Sequence, residues 1–199
     1  MTQTFYEYAA KFLREINAKD VVEIGSDVQL KLALNLAPHC KNFYSVNFPE
    51  DHIRMQGWYE MHQEMSDVTN IKLLSGNAVR LSNLIKHADA IILQNVLIDG
   101  NGKDTDLMWQ YKRGEIPCSD EKWSALIGRF RQAEEDAYKE FLKVANPGHI
   151  IRFGRPEKDG RFQNMLVDKL KVDEKRIQTR KLLYDNTSET WEAYIIDNA

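Results

Sequence analysis

The residues Val21-Val22-Glu23-Ile24-Gly25-Ser26-Asp27 set a carboxylate, a glycine and a second carboxylate at the end of an apolar run. A glycine in such a turn lets a ligand approach the backbone. Asp27 puts a negative charge where a phosphate would otherwise rest on a helix start, so the turn opposes a pyrophosphate and suits a cationic group. Three groups elsewhere are candidates for accepting a proton: Asp99, Glu115 and His149. Nothing in the sequence chooses among them, so no catalytic residue is assigned. Metal chemistry is not expected. His52 and His62 are too far apart to share a helical turn. The run Asp99-Gly100-Asn101-Gly102-Lys103-Asp104 departs from a calcium loop, with Lys103 at an oxygen-ligand position, Asp104 at the turn glycine and Gln110 at the bidentate acid. Cys40 and Cys118 form no paired motif and read as reduced thiols.

These residues need elements to hold them. Val21, Val22 and Ile24 favour a strand, whereas Leu30, Leu32, Ala33, Leu34 and Ala37 suit a helix, which makes the junction a strand, a tight turn and a helix start. Open α/β sheets bind ligands at such junctions. Before it, Phe5, Tyr8, Phe12, Leu13 and Ile16 recur at helical spacing with Thr4 as cap, predicting a leading helix within 1–19 that packs on the sheet edge or covers the cleft. After it, Pro38 stops the helix and 42–47 reads as a strand. Asp51 to Met65 forms a helix, 71–74 a strand and Val79 to Ile85 a short helix. Residues 88–95 form the clearest strand in the chain. Residues 99–120 break the alternation and are expected to form an insertion or lid loop, with Trp109, Tyr111, Lys112, Arg113 and Glu115 available for selectivity. A long helix follows from the Ser119 cap. Phe162 to Leu170 form a helix, and 177–183 and 191–196 are strands around the turn 185–188.

In this order the motifs resemble the class I S-adenosylmethionine (SAM)-dependent methyltransferases over Val21 to Ile196. The Glu23-Ile24-Gly25 turn resembles the family's first motif, with Asp27 and Gln29 where later glycines belong. The resemblance implies an α/β fold: a three-layer Rossmann-like sandwich around a mostly parallel seven-stranded sheet, order 3-2-1-4-5-7-6, whose last strand is antiparallel. It also implies SAM as cofactor. Asn47 then stands where the family's acid accepts from the ribose hydroxyls, and Asn77, before Ala78, where an acid accepts from the adenine amino group. Each is an amide that keeps a carbonyl acceptor. Gln94 and Asn95 fall at the strand end that faces the reacting groups. The implied donor-binding residues are Glu23, Gly25, Ser26, Asp27, Asn47, Asn77, Ala78 and Gln94. Asn95-Val96-Leu97-Ile98 lacks the Pro-Pro-aromatic run of the amino-methylating branch.

The 199 residues, with no evident linker, read as a single domain. A formal net charge of −3 opposes a protein whose main work is gripping nucleic acid, and the basic surplus from Arg152 to Lys181 is broken by acids. The expectation is a cytoplasmic methyltransferase acting on a small-molecule acceptor, with no membrane partner; a homo-oligomer is compatible with the sequence. The alternative is a methyltransferase-like binding or regulatory module that has lost donor binding along with the two glycines and two acids.

Overall fold

The computed structural model describes residues 3–25, 29–63 (side chains to 60), 68–157, 159–184 and 189–198. Ser26, Asp27, Met65 and the turn at 185–188 lie outside the described residues, as do the side chains of Met61 and His62. Seven strands form one sheet: β1 (Asp20–Ile24), β2 (Asn42–Asn47), β3 (Ile71–Ser75), β4 (Ala90–Gln94), β5 (His149–Gly154), β6 (Ile177–Leu183) and β7 (Thr190–Asp197). Their order is β3-β2-β1-β4-β5-β7-β6. The first five are parallel, and β7 runs antiparallel to both β5 and β6. This is the expected mostly parallel sheet with a reversed last strand.

The strand composition follows from what covers each face. Val21, Ala90, Ile92, Ile151 and Phe153 bury against α1 (Phe5–Glu15) and α2 (Lys31–Leu36), together with Met55 and Tyr59 of α3 (Pro49–Gln63). Val22, Ile91, Leu93 and Ile150 bury on the other side against a 3-10 segment at Ala78–Asn83, α5 (Asp120–Val144) and α6 (Arg161–Asn164). Sheets covered on both faces read as continuous apolar runs, which is why β4 was so plain in the sequence. The leading helix lies on a sheet face, with Phe5 stacked on Phe153 at a centroid distance of 4.2 Å. It is started by a reciprocal cap in which Thr4 Oγ1 accepts from the Glu7 N–H and the Glu7 carboxylate accepts from the Thr4 N–H.

The segment 99–120 departs from the irregular loop expected of it, because it contains a nine-residue helix, α4 (Asp104–Lys112). Its start is organised by Asp99, whose Oδ1 accepts from the N–H groups of Asn101 and Gly102 and whose Oδ2 accepts from that of Thr105. Its inner face is small: Met108 packs on Leu126 and Phe130 of α5. Only Met108 of the nine is a buried apolar side chain, with Leu107 and Tyr111 partly buried beside it, which leaves little periodicity to read. Among the described residues no helix is long and apolar enough to cross a membrane.

Candidate functional site

The carboxyl ends of β1, β2, β3 and β4 surround a hollow of about 530 Å³. Gly25, Asn47, Asn77 and Ala78 all line it, so four of the sequence-assigned positions converge. The volume falls in the range of small-molecule sites.

Gly25 forms the floor. Its φ is +71°, and a Cβ added there would stand 2.8 Å from Val96 Cγ1 and 3.0 Å from Cγ2, so both the backbone conformation and the close approach of Val96 require glycine. Its N–H donates to the Val46 carbonyl at 3.0 Å, carrying the β1–β2 pairing one step past the strand end.

Asn47 is held by a chain that begins at Glu23. Ser45 sits opposite Glu23 in the parallel register and donates its hydroxyl proton to the Glu23 carboxylate at 3.2 Å; Asn47 Nδ2 then donates to Ser45 Oγ at 3.3 Å. Since the Ser45 proton is committed to an acceptor-only carboxylate, its oxygen can only accept from Asn47, and the Asn47 amide is oriented with nitrogen inward. The Asn47 carbonyl is therefore the group left for the hollow. Glu23 itself is 3% exposed and does not line the hollow; its role here is beneath the floor, setting the orientation of Asn47. Ser45 was missed in the sequence, although strand period and register alone put it between Glu23 and Asn47.

Asn77 differs from the expectation placed on it. Its Oδ1 accepts from the Val79 N–H at 3.1 Å, capping the 3-10 segment, and its Nδ2 donates to the Gly100 carbonyl at 2.8 Å. The amide thus ties the end of β3 to the segment that leads into α4. An aspartate could make only the first bond, and would set a carboxylate against the Gly100 carbonyl.

Gln94 ends β4 on the α1 side of the sheet and pairs with Tyr6, its Nε2 lying 3.2 Å from the Tyr6 hydroxyl, so it stands outside the hollow. The three candidate bases separate as well. Asp99 lines the hollow, but both its oxygens serve backbone N–H groups. Glu115 pairs with Arg113 on the exposed surface. His149 begins β5 beside Ala90, at the amino edge, where it meets Asp197 and the Phe12 ring. Four residues of strand, about 13 Å, separate that edge from the carboxyl ends.

The hollow also gathers Phe48, Glu50, Asp51 and Arg54 around the start of α3 and Thr105 and Asp106 on α4, which motif reading did not assign to it, together with Trp109, one of the insertion residues expected to serve selectivity. Acids outnumber cations in this wall. Among the described residues no group of three or more His, Cys, Asp or Glu is arranged to hold a metal.

No protein-family model matches the sequence, and no curated protein sequence matches it. Solved structures do match along nearly the whole chain. An rRNA methylase from Streptococcus thermophilus shares 11% identity at a TM-score of 0.57, covering 100% of this chain and 99% of that one. The magnesium protoporphyrin IX methyltransferase of Synechocystis, solved with bound SAM, shares 12% at a TM-score of 0.60, covering 98% of this chain and 78% of that one. The N-methyltransferase NodS of Bradyrhizobium japonicum, in complex with S-adenosylhomocysteine, shares 14% at 0.55, covering 98% and 88%. Sheet order, reversed last strand and these neighbours agree: this chain has the fold of the class I SAM-dependent methyltransferases.

Proposed function

We propose that the hollow above Gly25 binds SAM and that the protein transfers its methyl group to a small-molecule acceptor. The observation that carries this reading is the convergence on one hollow of Gly25, whose left-handed backbone and Val96 neighbour leave no room for a side chain, and Asn47, whose amide nitrogen is tied inward to Ser45. Such a floor admits a ligand against the backbone, and the carbonyl accepts from a ribose hydroxyl. The acidic wall formed by Glu50, Asp51 and Asp106 favours a ligand carrying positive charge over a nucleotide phosphate. SAM, when bound, supplies an already activated methyl on a sulfonium. The work left to the chain is to orient the donor, bring the acceptor close and exclude water. No base need be held in the hollow for an acceptor that arrives without a proton, consistent with Asp99 being spent on backbone N–H groups.

The acceptor class rests on charge. A net charge of −3 and acids at the hollow repel a phosphodiester backbone. The first test is calorimetric titration of the folded protein with SAM and with S-adenosylhomocysteine. Micromolar or weaker binding of both is expected; a folded protein that takes up neither ends the donor-site reading and favours the non-catalytic binding module. Incubation with methyl-labelled SAM and a cell extract, separated by size, then tests the acceptor. Label is expected in the low-mass fraction, and label in RNA overturns the small-molecule assignment.

A further inference from the structure

We infer that α4 carries the purine-recognition surface of this hollow, with Asp106 accepting from the exocyclic amino group of the donor's adenine and Trp109 serving as a plate for its ring. The inference rests on the SAM reading above and deepens it. Adenine offers an amino donor and a flat apolar ring, so a selective site needs an acceptor beside an aromatic surface. Asn77 is poorly suited to the first task, since its carbonyl caps Val79 and its amide nitrogen is bonded to Gly100. Asp99 is likewise occupied, by three backbone N–H groups. Asp106 lines the hollow, and among the described residues its side chain feels the Arg113 charge without a hydrogen bond or an ion pair within 4 Å.

Asp106 and Trp109 are three residues apart on α4, hence neighbours on one helix face, and both contribute to the wall. Trp109 is 47% exposed, an unusual state for an indole in a chain with a well-filled core, and the Lys112 ammonium lies 4.8 Å from its ring centroid. Trp109 borders the hollow beside that cation. Phe48 adds a second ring to the same wall; it packs where Gly102 would carry a Cβ, 3.5 Å away, so the base of α4 and the end of β2 share it. The helix is not loosely tethered. Asp104, 5% exposed, is gripped by the Arg129 guanidinium at 2.8 Å, and Met108 is packed on α5. A surface held this firmly can select a ligand.

The test is calorimetric titration with S-adenosylhomocysteine and with S-inosylhomocysteine, in which an oxo group replaces the amino group. Wild-type protein is expected to prefer the adenosyl ligand by about tenfold, the worth of one hydrogen bond to a charged acceptor. Asp106→Ala is expected to bring the two affinities within about twofold to threefold of each other by the loss of that bond. Trp109→Ala is expected to weaken both ligands alike, since every purine has a flat face. A folded Asp106→Ala protein that keeps the wild-type preference overturns the role given to α4 while leaving the donor site standing. A wild-type protein that binds neither ligand overturns the donor-site reading and this inference with it.

Discussion

Gly25 answers two demands with one missing carbon, and they can be separated. An alanine there must adopt a left-handed backbone, at about 1–2 kcal/mol, and must also displace the Val96 methyls. Gly25→Ala is therefore expected to lose about 2–3 kcal/mol, adding an overpacking cost to the backbone one. In a Val96→Ala background the clash is relieved and only the backbone cost, about 1–2 kcal/mol, should remain. Urea unfolding of the four proteins in this cycle measures the coupling; simple additivity would show that Val96 and Gly25 are not in contact. The same residue-scale logic explains Glu23. A buried carboxylate needs a donor, Ser45 supplies one, and the orientation of Asn47 follows.

Between β3 and α4, Asn77 is a cross-element tie. The family resemblance would have Asn77→Asp restore a binding acid. The geometry here predicts the opposite, because the substitution removes the donor to the Gly100 carbonyl and sets a negative charge beside it. Stability should fall by about 1–2 kcal/mol from a lost hydrogen bond and an unfavourable contact. Amide hydrogen exchange should rise across Gly100 to Thr105, where the N–H groups of Asn101, Gly102 and Thr105 depend on Asp99 being held in place. Unchanged exchange in that segment would show that the tie does not organise the start of α4. The fold of 99–120 was not legible in sequence for the same reason: its helix is set by an aspartate turn and a few contacts with α5, neither of which leaves a repeating pattern.

Across the whole molecule, the acid response includes carboxylates of opposite sense, Asp89 and Glu134 among them. Burial works to raise the Asp89 carboxyl, but the N–H groups of Asp20 and Lys19 and the His87 imidazole outweigh it and hold it below its usual range. The native state then releases this proton more readily than the unfolded chain. Its contribution is whole above about pH 4, the ordinary carboxylate value, and is lost as pH falls through the lower native value. Burial of Glu134 pushes its carboxyl up in spite of Arg152 and Arg161, so that group works the other way, its contribution fading as pH rises. Asp89→Asn is expected to cost about 1–3 kcal/mol at pH 7, because Oδ2 accepts from both N–H groups that open β1. That deficit should shrink as pH falls below about 4, where the unfolded chain takes up the proton more readily than native Asp89 does. Urea midpoints between pH 3 and 7 test this, and a deficit that stays constant contradicts it.

What the sequence determined by itself was where the strands and the glycine turn lie, while the order of the sheet followed from the resemblance of its motifs to a known family. Fully buried strands such as β4 need unbroken apolar runs, and glycine is compulsory where Gly25 turns, so both leave marks in the residue order. Tertiary structure alone decided which polar groups face the hollow. Asn77 is committed to Gly100, 23 positions away, Gln94 is turned to Tyr6, 88 positions away, and His149 stands at the wrong edge of the sheet. A side chain's identity states what bonds it can make, but the partner it meets is fixed by distant backbone brought alongside, and no local pattern records that.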